Sequence, residues 1–361
     1  MSKICCTVTN DLNFDQRMIR ICSSLQKAGN SVELVGRTLP QSTSIAPQNF
    51  KQNRLNCRFL KGPLFYLEYN YRLLQYFIKT KPDVINSVDL DTVIAAYLYR
   101  FLTKFVWVFD AHEHFTEVPE VTDRKFVKWI WQQVEVLVFR NAQKFYTVSA
   151  SISNLYHKKY KKEVEVVRNV PFLRSLDVVK PRSDFSERFI IYQGALNEGR
   201  CIEYYIKAMK HIDAHLWIVG EGDLSNELRI LAAGEGVEQK VTFKGRVAPD
   251  ELRHLTQLAY MGLNVLENRG LSYYYSLSNK CFDYVQAGLP SISSNFPEYQ
   301  LLNAEFETMM LIEPTLENVI LAINELLQNT SKYNQLKENC TPAALAWNWQ
   351  REEQKLLAIY E

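Results

Sequence analysis

The chain has 361 residues, 47% of them hydrophobic and 23% charged, with a formal net charge of only +2. That length suggests two domains with sizeable cores, and the near-neutral balance argues against a nucleic-acid binder. Seven cysteines, an odd and scattered set with no CxxC or Cys/His cluster at metal spacing, point to a reducing compartment.

"KICCTVT" at residues 3–9 reads as a buried strand, too short in its apolar part for a signal peptide. Residues 14–29 follow as an amphipathic helix with Met18, Ile21, Cys22 and Leu25 on one face and Gly29 as its stop. "SVELVGR", "DVINSVD" and "KFVWVFDAHE" are further strands, with helical stretches near 63–79 and 91–103 between them. "KFYTVSA" and "VEVVRNV" close this half. Strands alternating with helices require crossover connections and hence a parallel sheet.

The pattern restarts after residues 171–186, where Pro171, Pro181 and several charges suit a linker. "RFIIYQGAL", "HLWIVGEGD", "KVTFKGRV", "MGLNVLE" and "PSIS" are the strands of the second half. A helix begins near Ser278 and stops at Gly288, and residues 341–361 read as one long terminal helix. No apolar run approaches the roughly 20 residues of a membrane span. The chain is therefore expected to hold two Rossmann-like domains, over 1–170 and 171–342, with 343–361 a C-terminal helix. Ligands of such sheets bind outside the carboxyl ends of the strands, so a cleft between the domains is the expected site.

Several stretches carry chemistry. The start of the 278–288 helix offers free backbone N–H groups and a partial positive charge to a phosphate, with Ser276, Ser278, Asn279 and Lys280 beside it. Asp283, one turn on, suits ribose hydroxyls. Gly194 in "YQGALNEGR" lets backbone approach a ligand, and Arg200 lies six residues beyond it. "GEGD" and "FKGR" repeat that arrangement after the next two strands. "FDAHEHF" brings Asp110, His112, Glu113 and His114 to a strand end, which suits hydrogen bonding or proton handling; "HEH" alone supplies too few metal ligands. "TNDLNFDQR" supplies Asn10, Asp11 and Asn13 as acceptor contacts or helix caps. Asp89-x-Asp91 has a spacing used for divalent cations in some transferases, but Asp91 before Thr92 reads as a helix N-cap. The stretch 124–144 mixes cations with aromatics and suits either packing on the sheet or an anionic membrane face.

Together these stretches resemble the retaining glycosyltransferases of the GT-B fold, family-4 type, over nearly the whole chain. "NKCFDYVQAGLP" is similar to that family's Lys-x-x-Glu-x-x-x-Ala-Gly-x-Pro segment, with "IIYQGALNEGR", "LWIVGEGDL" and "VTFKGRV" in the family's order. The resemblance implies an α/β GT-B architecture, two Rossmann-like domains facing a central cleft. It implies an acceptor held mainly by the N-terminal domain and a nucleotide-sugar donor, a UDP- or GDP-sugar, held by the C-terminal one. Carried over, Arg200 takes the place of a lysine on the donor diphosphate. Ser276, Leu277, Ser278, Asn279 and Lys280 bind the phosphates, Asp283 the ribose, and Lys244 and Gly245 lie near the base. His112 faces the transferred sugar; apart from the resemblance, Asn10, Asp11, Asn13 and Glu113 are the candidate acceptor contacts by their place after the strands. No metal or cofactor is implied.

The chain departs from the pattern in three places: Tyr275 stands where the family has its first acidic residue, Ala195 where it has an arginine, and Asp283 where it has glutamate. Glu267 is the candidate to supply the missing carboxylate, with Tyr273 to Tyr275 the alternative lining of the sugar pocket. The expected function is sugar transfer to a glycan or lipid-linked acceptor in polysaccharide synthesis, in the cytoplasm or at the inner membrane face. A nucleotide-sugar epimerase and a non-catalytic nucleotide-sugar-binding partner subunit are the alternatives.

Overall fold

The structure is a computed structural model that describes residues 1–13, 15–122, 124–173 and 188–361. Most of the expected linker lies outside the described residues. The chain forms two compact units: residues 1–169 with 352–361, and residues 170–351.

Unit 1 is built on β1 (Lys3–Thr7), β2 (Ser31–Arg37), β3 (Lys51–Leu55), β4 (Val84–Val88), β5 (Val106–Ala111), β6 (Lys144–Thr147) and β7 (Glu165–Val166). They pair in the order β3-β2-β1-β4-β5-β6-β7, all parallel. β4, at the centre of the sheet, is buried at every position, Asn86 and Ser87 included. The helix Gln16–Lys27 is capped by the Asp15 carboxylate, which accepts the Met18 N–H at 3.0 Å. Its buried stripe holds the expected Met18, Ile21, Cys22 and Leu25, and Arg17 as well.

Unit 2 is built on β8 (Phe189–Gln193), β9 (His215–Val219), β10 (Val241–Gly245), β11 (Met261–Asn264), β12 (Ser291–Ser294) and β13 (Met309–Ile312). The order is β10-β9-β8-β11-β12-β13, again all parallel. Ile190, Tyr192, Leu216, Ile218, Met261 and Leu263 fill its main core. This is the α/β, double Rossmann-like architecture expected. β3, the unexpected edge strand "KQNRL", carries no alternating apolar pattern because it is only partly buried.

Two expectations change. The terminal stretch is two helices, Thr330–Ala346 and Trp349–Tyr360. Asn348 breaks it: its amide donates to the carbonyls of Ala344 and Leu345 at 3.0 and 2.9 Å, and its oxygen accepts the Arg351 N–H at 3.2 Å. Residues 343–351 stay with unit 2; from Glu352 the chain packs in unit 1, where the Glu352 carboxylate accepts the Arg168 N–H at 2.9 Å. Asp91, expected as an N-cap, instead lies inside the 3-10 turn Leu90–Thr92, and the helix starts at Val93. The Thr92 hydroxyl bonds the Val88 carbonyl rather than capping that helix. Among the described residues no helix is long and apolar enough to cross a membrane.

Candidate functional site

In unit 2 the carboxyl ends of β8, β9 and β10 run into glycine turns that are stitched together. The Gly194 N–H donates to the Val219 carbonyl at 2.9 Å, and the Gly220 N–H to the Gly245 carbonyl at 2.8 Å. Gly220 has φ +139°, and a Cβ there would sit 1.9 Å from the Gly194 carbonyl oxygen. Only glycine permits this approach, which leaves an open backbone ledge at the strand ends.

Two cations reach that ledge. Lys280, in the first turn of the helix Asn279–Gln286, has its ammonium 3.9 Å from the position of a Gly194 Cβ and 4.6 Å from the Tyr192 ring centroid. Burial, and then the charge of Arg200, push its pKa down to about 7. The Arg200 guanidinium lies 5.5 Å from the Tyr273 ring centroid, and its Nε is buried without a hydrogen-bond partner. The helix carries no side-chain cap at Ser278, so its N-terminal dipole is not answered there by a side chain. Asp283, one turn in, accepts the Gln193 amide at 3.3 Å, while Thr256 donates to the Gln193 oxygen at 2.7 Å. Gly194, Arg200, Lys280 and Asp283 thus gather at the end of β8.

The remaining expected donor residues are placed differently. Ser276 donates to the Tyr273 carbonyl at 2.8 Å, the Ser278 N–H donates to the Tyr299 hydroxyl at 3.2 Å, and Leu277 packs on the core around Phe282 and Trp347. Lys244 is exposed, its ammonium 5.0 Å from the Trp217 ring centroid, with Gly245 beside Glu221. The Glu267 carboxylate is engaged by Arg269 at 2.8 Å, and Arg269 also bridges to Glu198 at 2.5 Å. Tyr275 packs edge-on against Tyr274, ring centroids 5.1 Å apart.

Unit 1 holds a cavity of about 300 Å3 at the ends of β1, β4 and β5, lined by residues that include Thr9, Asn10, Asp89, Asp91, His112 and Glu113. His112 is fixed from two sides. Its backbone N–H donates to Asp89 at 2.9 Å, and its Nε2 lies 2.9 Å from Asp110 and 3.0 Å from Nε of Arg17. Arg17 in turn donates to Asp110 at 3.1 Å and to the Val167 carbonyl at 2.9 Å. Burial opposes protonation of the His112 ring, but the Asp110 carboxylate prevails and lifts its pKa to about 9. Burial also pushes Asp89 up to about 8, with His112 opposing, and Asp91 up to about 6, against a hydrogen bond from Thr9. His114 turns away, buried edge-on against Tyr156. Among the described residues no three His, Cys, Asp or Glu side chains gather as a metal site.

Asp11 and Asn13 are engaged within unit 1. Asp11 pairs with Arg54 at 2.8 Å and accepts from Ser42, and Asn13 holds Thr43, Ser44 and Ala46. Asn10, which donates to Asp15 at 3.3 Å, and Glu113 remain on the cavity wall. The sequence reading does not single out Arg17, Gln193 or Thr256. For Arg17 a signal existed: an arginine four residues before Ile21 lies on the apolar stripe of its helix.

Residues 16–170 match the family described as Glycosyltransferase Family 4, and residues 187–329 the family described as Glycosyl transferases group 1. No protein of curated function matches the sequence. Among solved structures, a sucrose-phosphate synthase from Thermosynechococcus elongatus aligns with a TM-score of 0.80 at 18% identity, over 100% of this chain and 98% of that one. HepE of Anabaena, in complex with UDP and glucose, aligns at 0.77 and 13% identity over 99% of both chains. WaaG, a glycosyltransferase of lipopolysaccharide biosynthesis, aligns at 0.76 and 13% identity over 98% of both. At these identities the likeness speaks to the fold.

Proposed function

The chain is a glycosyltransferase, with a family 4 domain and a group 1 domain on the GT-B architecture, and from that premise we propose that unit 2 holds a nucleotide-sugar donor and unit 1 the acceptor. One observation carries the donor assignment: Lys280 and Arg200 flank the Gly194 ledge at a helix start that no side chain caps, with Asp283 one turn further. A diphosphate fits this ledge. Its negative charge restores the proton that burial draws from Lys280, and Asp283, steadied by Gln193, accepts hydrogen bonds from ribose hydroxyls.

Breaking the sugar–phosphate bond builds negative charge on the leaving diphosphate and positive charge on the sugar. Lys280, Arg200 and the helix N–H groups are preorganised for that charge and stabilise the transition state more than the ground state. They supply positive charge that a metal ion provides in other transferases. His112 of unit 1 is assigned as a hydrogen-bond partner of the transferred sugar, and transfer is assigned as retaining. A uridine diphosphate sugar is the favoured donor, since HepE, of the same fold, binds UDP.

The acceptor is a glycan or a lipid-linked sugar of polysaccharide synthesis. Membrane contact is favoured by the helix Lys125–Asn141, where Phe126, Trp129 and Ile130 are 72%, 54% and 41% exposed beside Arg124, Lys125 and Lys128.

Thermal shift against UDP-, GDP-, ADP-, CMP- and dTDP-sugars, repeated with Asp283→Ala, tests the reading. Donor at 100 times its dissociation constant adds about 2.7 kcal/mol to stability. One class of hit that vanishes in the variant supports the site, and loss of transfer by orders of magnitude in Asp283→Ala and Arg200→Ala, with the fold intact, supports the activity. No hit in the panel, or wild-type turnover in either variant, refutes it.

A further inference from the structure

We propose that Arg17 and Asp110 are positioning residues that clamp the Nε2 edge of His112, so that its Nδ1 carries a proton and the ring meets the unit 1 cavity as a hydrogen-bond donor rather than as a base. A neutral imidazole has one donor and one acceptor nitrogen, and a guanidinium is a donor only. Two groups compete for Nε2: the Arg17 Nε–H at 3.0 Å and the Asp110 carboxylate at 2.9 Å. If Nε2 accepts from Arg17, the ring proton sits on Nδ1. If Nε2–H donates to Asp110 in the imidazolium, Nδ1 is protonated too. Only a neutral ring turned wholly to Asp110 would leave Nδ1 bare, and Arg17 opposes that form by pressing a donor against Nε2–H.

The clamp has little room to relax. Arg17 is 4% exposed and Asp110 0%, and Arg17 is also tied to the Val167 carbonyl. The charged and titratable groups around His112 come from several elements. Arg17 lies on the helix Gln16–Lys27 and Asp110 on β5, Asp89 and Asp91 follow β4, and Tyr146 on β6 faces Arg17 at 5.9 Å; Glu113 is the next residue along the chain. Asp110 favours the protonated ring and Arg17 disfavours it, while Arg17 keeps Asp110 ionised. At neutral pH the balance leaves His112 an imidazolium. A cationic donor at this place suits a sugar oxygen or developing negative charge, and it cannot take a proton from an acceptor hydroxyl.

The catalytic consequence rests on the proposed function; the protonation state does not. The test is therefore a long-range proton–nitrogen spectrum of protein labelled with 15N-histidine, without substrate, from pH 6 to 10, with the His112 signals assigned through His112→Asn. The expected result at pH 7.5 is two protonated ring nitrogens, with a midpoint near 9. Asp110→Asn should lower that midpoint by about one to three pH units, and Arg17→Met should raise it or leave it. A bare Nδ1 at pH 7.5 overturns the proposal, and the wild-type spectrum alone decides this if Asp110→Asn does not fold. In turnover, the alkaline limb should follow the His112 midpoint in Arg17→Lys and wild type; a limb that ignores it removes the positive charge of His112 from the rate.

Discussion

The ammonium of Lys280 stands 4.6 Å from the ring centroid of Tyr192, and both side chains are buried. A lysine in that setting is costly to keep charged. Its pKa is about 7 when folded and near 10.5 when unfolded, so the unfolded chain binds the proton more tightly and stability rises with pH across that window. Lys280→Met should therefore raise the unfolding free energy at pH 7 without donor, on the order of 1–3 kcal/mol. The same variant should lose roughly 100- to 1,000-fold in kcat. Urea denaturation beside steady-state kinetics checks the pair, and a destabilised Lys280→Met would show that the lysine serves the fold instead.

Gly220→Ala should cost about 3 kcal/mol or more. Its Cβ would meet the Gly194 carbonyl oxygen at 1.9 Å, backbone against backbone, at φ +139°. Neither strand end has a flexible side chain that could yield. Thermal melting is the measurement, and a Tm within a degree or two of wild type would contradict the ledge geometry. Gly234→Ala, where a Cβ meets nothing within 4 Å, is the control.

Asp89 gives a pH signature of its own. Burial raises its pKa from 3.8 to about 8, so the folded state keeps a proton that the unfolded chain has released. Its contribution is fully present below about 4 and is lost as pH rises to about 8, with Asp91 adding a loss of the same sign up to about 6. Asp89→Asn should match wild type near pH 4 and exceed it by on the order of 2 kcal/mol at pH 8. Its amide oxygen can still accept the His112 N–H. Denaturant midpoints across that range decide it, and parallel curves for the two proteins would exclude the effect.

Phe126→Ser with Trp129→Ser should weaken binding to vesicles rich in anionic lipid by about tenfold or more, and raised salt should weaken the wild type. Both side chains are largely exposed, so the melting temperature should hardly move. Co-sedimentation that is unchanged in the double variant would remove this helix as the membrane contact.

The glycine turns and the helix start at Asn279 were legible in the sequence because each is a local device. A turn after an apolar strand needs glycine within a few residues, and a helix start shows in spacing and punctuation. Glu267 shows the limit of that logic: it lies in the right loop, but Arg269, two residues on, takes its carboxylate. Asp11 and Asn13 are equally local in sequence and are drawn instead to residues 42–54.

By itself, then, the sequence determined the alternation of buried strands and amphipathic helices, and with it two parallel sheets whose carboxyl edges carry Gly194, Lys280 and Asp283. Burial periodicity and backbone sterics act within a few residues of each position and leave their mark there. Tertiary structure alone decided the ionisation and orientation of His112. Arg17 lies 95 residues from His112 and 93 from Asp110 along the chain, and an electrostatic environment depends on what packs nearby in space, which no local pattern records.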